Sequence, residues 1–319
     1  STAVYGVRGA NGVVIVTTKR GSEGKPRINV NVQQAVLNPT RLPEYLESYD
    51  ALQLYREGLK NDGLNYATYT DEYIEKFRDR SNPTYQYLYP NVNWQEELLR
   101  KASFKTQANV NVSGGSGAVR YYISVSFLNQ SGMYKHTDLN DYDTQVRSER
   151  YNFRSNLDAQ LGIVKLGLNL SGSRQNIDEP TTSVTGEGLM RYLTWFTRPT
   201  VPVRYSNGHY GFLDGNPNIS QSVFKNPIEA LNMGYKDNKH YRFDGKFFGE
   251  IDIIKGLKFR SSLAYKYYMN DVTTFNPKNN IRYDAEGNAL TTVGTNKLTD
   301  YHYLETTYIN ENILTYDFS

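Results

Sequence analysis

The sequence has no cysteine, which excludes disulfide frameworks, thiolate metal sites and any cysteine nucleophile. It has four histidines, His136, His209, His240 and His302, and no two stand at His-x-His or His-x-x-x-His spacing. Metal ligation and general-base catalysis therefore have no foothold, and we expect neither an enzyme nor a bound cofactor. No apolar run approaches the ~18 residues that a membrane-spanning helix needs. The formal charge of +3 is small and its residues are dispersed, so nucleic acid is not an expected partner.

What the sequence does have is tyrosine: 28 among 319 residues, with a mean hydropathy of -0.65. Aromatic richness of this kind suits β-proteins, membrane girdles and sugar-binding surfaces alike. The opening is of a different kind. Gly6, Gly9 and Gly12 precede an unbroken β-branched run from Val13 to Thr18. A dinucleotide cradle needs a strand before its glycines and a helix after them, and here the order is reversed. Ser1 to Tyr5 reads as the end of a helix, the glycines as a tight reversal, and Val13 to Thr18 as a strand buried on both faces. A start in mid-helix leads us to expect further chain upstream, and the texture changes between Gly21 and Pro26.

Beyond that boundary, period-2 alternation marks strands over residues 27–36, 104–112, 119–127, 151–161, 164–173, 241–253, 257–269 and 303–318. The clearest sets Val119, Tyr121, Ile123, Val125 and Phe127 against Arg120, Tyr122, Ser124 and Ser126. Helices are predicted over 48–60, 71–78 and 94–101, the last two after the cap-forming residues Thr70 and Asn93. The connections alternate in length: long loops at about 37–102, 131–149, 176–240 and 270–300, and tight turns between. About eight strands, mostly of ten residues or more, exceed the usual ~5–6 of soluble sheets. Long strands, one-ended long loops and apolar/polar alternation together predict an all-β transmembrane antiparallel barrel with helical segments in its extracellular loops.

The residues that carry this pattern resemble a known family. Tyr5-Gly6-Val7-Arg8-Gly9-Ala10-Asn11-Gly12-Val13-Val14-Ile15-Val16-Thr17-Thr18-Lys19 is similar to the plug signature of the SusC/RagA family of TonB-dependent outer-membrane transporters. Tyr49-Asp50-Ala51, Asn93-Trp94 with Glu97, Val112-Ser113-Gly114-Gly115, Tyr121-Tyr122-Ile123-Ser124, Leu128-Asn129-Gln130-Ser131-Gly132, Arg150 to Asp158, Asn226-Pro227-Ile228 and Ile254 to Ser261 resemble later landmarks. The resemblance implies residues 1–25 as the end of a plug and 26–319 as the first part of a plugged barrel of roughly 22 strands. It further implies the outer membrane of a Gram-negative, Bacteroidetes-type bacterium, contact with outer-membrane lipid, a SusD-like surface lipoprotein as lid, and TonB as the source of energy. The expected cargo is oligosaccharide or oligopeptide. The TonB box, the carboxypeptidase-like N-terminal domain, most of the plug and about two-thirds of the strands are family features the sequence does not contain, so energy coupling is assigned to segments outside it.

Three groups of site residues follow. Tyr5, Gly6, Arg8, Gly9, Asn11 and Gly12 form the plug signature and are structural. Tyr192, Trp195, Phe196, Tyr205, Tyr210 and Phe212 lie in the longest loop, where aromatic faces either stack on substrate or form a small loop core. Asp138, Asn140, Asp141 and Asp143 supply oxygens at a spacing that could hold Ca²⁺, but the EF-hand order and its glycine are missing, and a solvated acidic loop explains them as well. Tyr134, Tyr151 and Tyr267 are expected in an interfacial girdle. The competing readings are a small self-contained outer-membrane barrel, serving as adhesin or passive pore, and a soluble carbohydrate-binding β-protein.

Overall fold

The computed structural model describes residues 17–137, 142–181, 197–211, 226–232, 234–278, 282–283, 286–291 and 295–317. Eight long strands form one antiparallel sheet, and their lengths and alternation are those the sequence dictates. In chain order the elements begin with β1 (Gly24–Leu37), α1 (Ser48–Asn61), α2 (Asp71–Glu75), α3 (Tyr85–Leu88) and α4 (Trp94–Leu98). Then come β2 (Ser103–Gly115), β3 (Val119–Ser131), β4 (Arg147–Leu161), β5 (Val164–Pro180) and α5 (Pro227–Leu231). The chain closes with β6 (Tyr235–Ile254), β7 (Leu257–Asn276), the short β8 (Arg282–Tyr283) and β9 (Ala289–Thr291), and β10 (Lys297–Tyr316). The sheet order is β1-β2-β3-β4-β5-β6-β7-β10, so every neighbour in space is a neighbour in sequence once the small β8–β9 hairpin is set aside.

Tight turns lie at one end only. Leu161 pairs with Val164 around Gly162, and Ile254 pairs with Leu257 around Gly256. Those two glycines have φ of 60° and 83°, the left-handed region that residues with a side chain rarely adopt, so they set the register of both hairpins. At the other end the connections are long. The strands on that side run further than the hydrophobic alternation predicts: β5 continues to Pro180 and β6 starts at Tyr235, with Ile177 opposite Asn238, Asp178 opposite Asp237 and Glu179 opposite Lys236. The backbone ladder does not need an apolar face to propagate, so the alternation marks a shorter span than the hydrogen bonding. The helix predicted over 71–78 ends at Glu75 and the one over 94–101 at Leu98, while α3 and α5 carried no clear sequence signal.

The register puts like with like across all eight strands. On one face Asn31 stands opposite Asn109, Asn109 opposite Ser126, Ser126 opposite Asn152 and Asn152 opposite Ser173. Ser173 is opposite Arg242 and Arg242 opposite Tyr268. On the other face Val32, Ala108, Phe127 and Tyr151 share a row. That second face is open to the surroundings, with Val32 68% and Tyr308 73% exposed. An eight-stranded sheet with an uncovered aliphatic and aromatic face is not the wall of a soluble sandwich, whose apolar face would be covered. The buried cores lie in the long connections instead.

One core joins α1, α2 and their flanks through Leu52, Tyr69, Ile74 and Phe77. The other draws on three separate connections: Trp94 and Leu98 from the first, Tyr134 from the second, and Val201, Ile228 and Leu231 from the third.

Candidate functional site: a polar wall beneath a packed loop roof

The polar face is built by small amides and hydroxyls at every second position, and they bond across strands. Asn29 Nδ2 donates to Asn111 Oδ1 at 3.1 Å, Asn111 Nδ2 to Asn109 Oδ1 at 3.1 Å, and Asn109 Nδ2 to Ser124 Oγ at 3.1 Å. Asn152 Nδ2 donates to Ser126 Oγ at 3.0 Å. Further along, Lys246 Nζ pairs with Glu311 Oε2 at 2.9 Å, and Ser262 Oγ donates to the same carboxylate at 3.1 Å. Side chains that satisfy one another in this way form a hydrophilic wall.

The residues that precede β1 rest on this wall. Asn156 Nδ2 donates to the Lys19 carbonyl at 2.7 Å and to Thr18 Oγ1 at 3.2 Å. Arg20 pairs with Asp158 at 2.5 Å. A Cβ on Gly21 would stand 2.3 Å from the Tyr121 carbonyl oxygen, so only glycine permits this approach to β3. Beside Lys19, at mid-height of the strands, the wall carries an open polar cavity of about 500 Å³ lined by Ser124, Ser126, Arg154, Arg242 and Asp244 among others.

Above the wall, the three connections are tied by hydrogen bonds as well as by the shared core. Trp94 Nε1 donates to the Arg198 carbonyl at 2.9 Å and the Val92 amide to the Pro199 carbonyl at 3.0 Å. Thr137 Oγ1 donates to Asn232 Oδ1 at 2.8 Å. Asn226, in the Asn-Pro-Ile stretch, donates to the Gly211 carbonyl at 2.8 Å and accepts from the Ile228 amide at 2.9 Å, bracing the start of α5. Burial raises the Tyr134 and Tyr142 phenols above their ordinary range.

Several sequence expectations take a definite place here. Tyr205 is 5% exposed, and Tyr210 packs on the Trp94 core with the Arg204 guanidinium 3.8 Å from its ring centre. Tyr210 thus joins the loop core, and Tyr205 is buried. Tyr192, Trp195, Phe196 and Phe212 lie outside the described residues, as do the plug-signature residues Tyr5, Gly6, Arg8, Gly9, Asn11 and Gly12. Asp138, Asn140 and Asp141 also lie outside them. Asp143 accepts from the Gln145 amide at 2.9 Å and faces His136 at 3.9 Å. Among the described residues no group of three or more His, Asp or Glu side chains is placed to hold a metal.

Tyr134 belongs to the loop core and not to a girdle, because its ring meets Trp94 and its neighbours instead of the apolar face. Tyr151 lies 5.0 Å from Phe127 on the outward face, where a second aromatic row runs through Phe153, Phe243, Tyr265 and Tyr308. Gly172 makes it continuous, since the Phe153 ring lies over the glycine and would sit 2.2 Å from a Cβ there. A groove of about 1090 Å³ between α1 and α2, lined by Tyr49, Tyr66, Tyr69, Arg56 and Asp71, had no sequence signal because its rings come from separate turns.

No family model matches the chain. Among individual proteins, it is 32% identical over 255 residues to TonB-dependent receptor P26 of Formosa agariphila, covering 78% of this chain and 22% of that protein. It is 25% identical over 323 residues to receptor P3 of the same organism, covering 99% and 28%. To the TonB-dependent receptor SusC of Bacteroides thetaiotaomicron it is 24% identical over 304 residues, covering 86% and 26%. In sequence the chain is thus similar to TonB-dependent receptors, SusC among them. It spans about a quarter of the length of these relatives. The structure of the RagAB peptide importer in its open-open state superposes with a TM-score of 0.69 at 20% identity, covering all of this chain and 35% of that one. In the closed-closed state the score is 0.63 at 21% identity, over 99% and 35%. At such identities the likeness establishes the fold: the sheet is an arc of a transmembrane β-barrel. These relatives are receptors and importers.

Proposed function

We propose that the chain supplies the end of the plug, residues 1–25, and the first part of the barrel wall, residues 26–319, of a TonB-dependent importer in the outer membrane of a Bacteroidetes-type bacterium. The observation that carries this reading is the two-faced sheet. Its exposed apolar face suits lipid, and its polar face holds Thr18, Lys19 and Arg20 through Asn156 and Asp158. A segment docked on the polar side is what a plug inside a lumen requires. The sheet order, with β1 and β10 at opposite ends, speaks against a self-contained small barrel, and the uncovered apolar face speaks against a soluble sugar-binding protein.

Cargo is oligosaccharide or oligopeptide, captured at the outer mouth under a SusD-like lipoprotein and released inward when TonB pulls on the plug. The packed roof formed by Trp94, Val201 and Ile228 gives such a lid a firm rim rather than separate loops. The test is uptake of labelled oligosaccharides and oligopeptides by cells carrying the full-length transporter, with TonB or the lid lipoprotein deleted in turn. One class of oligomer should enter, and its entry should stop without TonB. Uptake that persists without TonB overturns the reading.

A further inference from the structure

The mid-height cavity on the polar wall has an uneven hydrogen-bonding character. Among the described residues lining it, Lys19, Arg154 and Arg242 are cations and Asp244 is the one carboxylate. Asp244 is flanked by cations on its own face, with Arg242 and Lys246 two residues to either side in β6 and Lys266 directly opposite in β7. Lys246 is engaged by Glu311, and Lys266 stands opposite Asp244 in the register.

The hydroxyls add to the imbalance. Ser124 Oγ already accepts from Asn109, and Ser126 Oγ already accepts from Asn152, so each retains its proton for an acceptor in the cavity. Arg154 stands directly between Ser124 and Ser171 in the register, so its guanidinium is framed by hydroxyls on both neighbouring strands. A pocket whose free groups are nearly all donors, and whose charge is positive, is matched by an anionic acceptor, and the planar fork of arginine matches a carboxylate in particular.

We propose that this cavity is a carboxylate-binding step on the inner wall, which favours the passage of cargo bearing free carboxyl groups. This rests on the polar face being the lumen side. Lys19 forms one lip of the cavity, so the segment that leads out of the plug would itself complete the site. Carboxyl groups could come from acidic peptides or from uronic acid sugars, which present the same chemistry to the wall.

The experiment uses the full-length transporter purified in detergent and titrated calorimetrically at low salt. The probes are tetraglutamate and its neutral counterpart tetraglutamine, and tetragalacturonate and its neutral counterpart tetragalactose. One acidic probe is expected to bind about tenfold more tightly than its neutral counterpart, a preference that raised salt reduces. Which of the two acidic probes shows the preference identifies the source of the carboxylate. The double variant Arg154→Gln, Arg242→Gln should lose the preference and bind the neutral probe unchanged. Arg154→Lys, Arg242→Lys should keep most of it, which separates lost charge from lost folding. Equal binding of acidic and neutral probes, a preference that survives the glutamine variant, or no binding of either acidic probe overturns the proposal. TonB dependence of uptake is measured separately in cells, so either reading can fail while the other stands.

Discussion

Asn156, 2% exposed in the middle of β4, donates its amide hydrogen to the Lys19 carbonyl at 2.7 Å and so fixes residues that precede the first strand against the inner wall. The neighbouring pair Arg20–Asp158 repeats the connection one step along the same face. Replacing Asn156 by Leu leaves the Lys19 carbonyl without its donor, at a cost of about 1–3 kcal/mol for an unsatisfied buried group. Amide hydrogen exchange at Thr18 to Gly21 should accelerate while exchange in β4 stays slow. Unchanged protection at Thr18 to Gly21 would show that the contact does not anchor the segment.

Trp94 is the point at which three connections meet, through its ring in the core and its Nε1 hydrogen bond to the Arg198 carbonyl. Trp94→Ala should destabilise the roof by about 3–5 kcal/mol, the usual cost of emptying a large aromatic site. Trp94→Phe, which keeps most of the volume and loses the hydrogen bond, should cost about 1 kcal/mol. Limited proteolysis should cut the connections of the alanine variant while the strands stay resistant. Loss of the whole barrel instead would mean that the roof and the wall fold as one unit.

Val125 and Ser126 are adjacent in β3 and point to opposite faces. Val125 is exposed on the apolar side, and Ser126 lines the inner cavity. Val125→Arg should cost about 2–4 kcal/mol in the membrane, the price of a cation near the bilayer midplane, whereas Ser126→Arg should be tolerated. The amount of folded, heat-modifiable protein in outer-membrane fractions reads the difference. Equal levels for the two variants would contradict the assignment of faces.

Phe248, 3% exposed, lies over Gly167 on the adjacent strand, and the Arg260 guanidinium carbon sits 4.2 Å from its ring centre. A Cβ at Gly167 would be 2.1 Å from the ring. Gly167→Ala should therefore displace the ring and destabilise by about 1–3 kcal/mol. In Phe248→Leu the alanine should cost much less, a coupling that a double-mutant cycle on unfolding temperature measures. Additive effects would show that the ring does not occupy the space above Gly167.

The strand count, the alternating loop lengths and the two-faced character were legible in the residues themselves. Each depends on local rules: the period of two, the glycines of tight turns, and the length of chain between strands. The apolar row Val119, Tyr121, Ile123, Val125 and Phe127 could be assigned to one face without knowing any partner strand. The fate of the loop aromatics was not legible. Where Tyr210 packs depends on Trp94 and Leu98, more than a hundred residues earlier, and on Ile228 and Leu231 later in the chain. No periodicity records such a meeting.

By itself the sequence determined that this is an arc of long antiparallel strands with one apolar and one polar side, because side-chain direction along a strand follows from backbone geometry alone. Only the tertiary structure decided what joins the parts. It placed the Lys19 carbonyl under Asn156, packed Tyr134 into the roof rather than the girdle, and gathered Arg154 and Arg242 around one cavity. Those outcomes depend on register between strands and on contacts between distant loops, and such contacts are fixed only when the whole sheet has assembled.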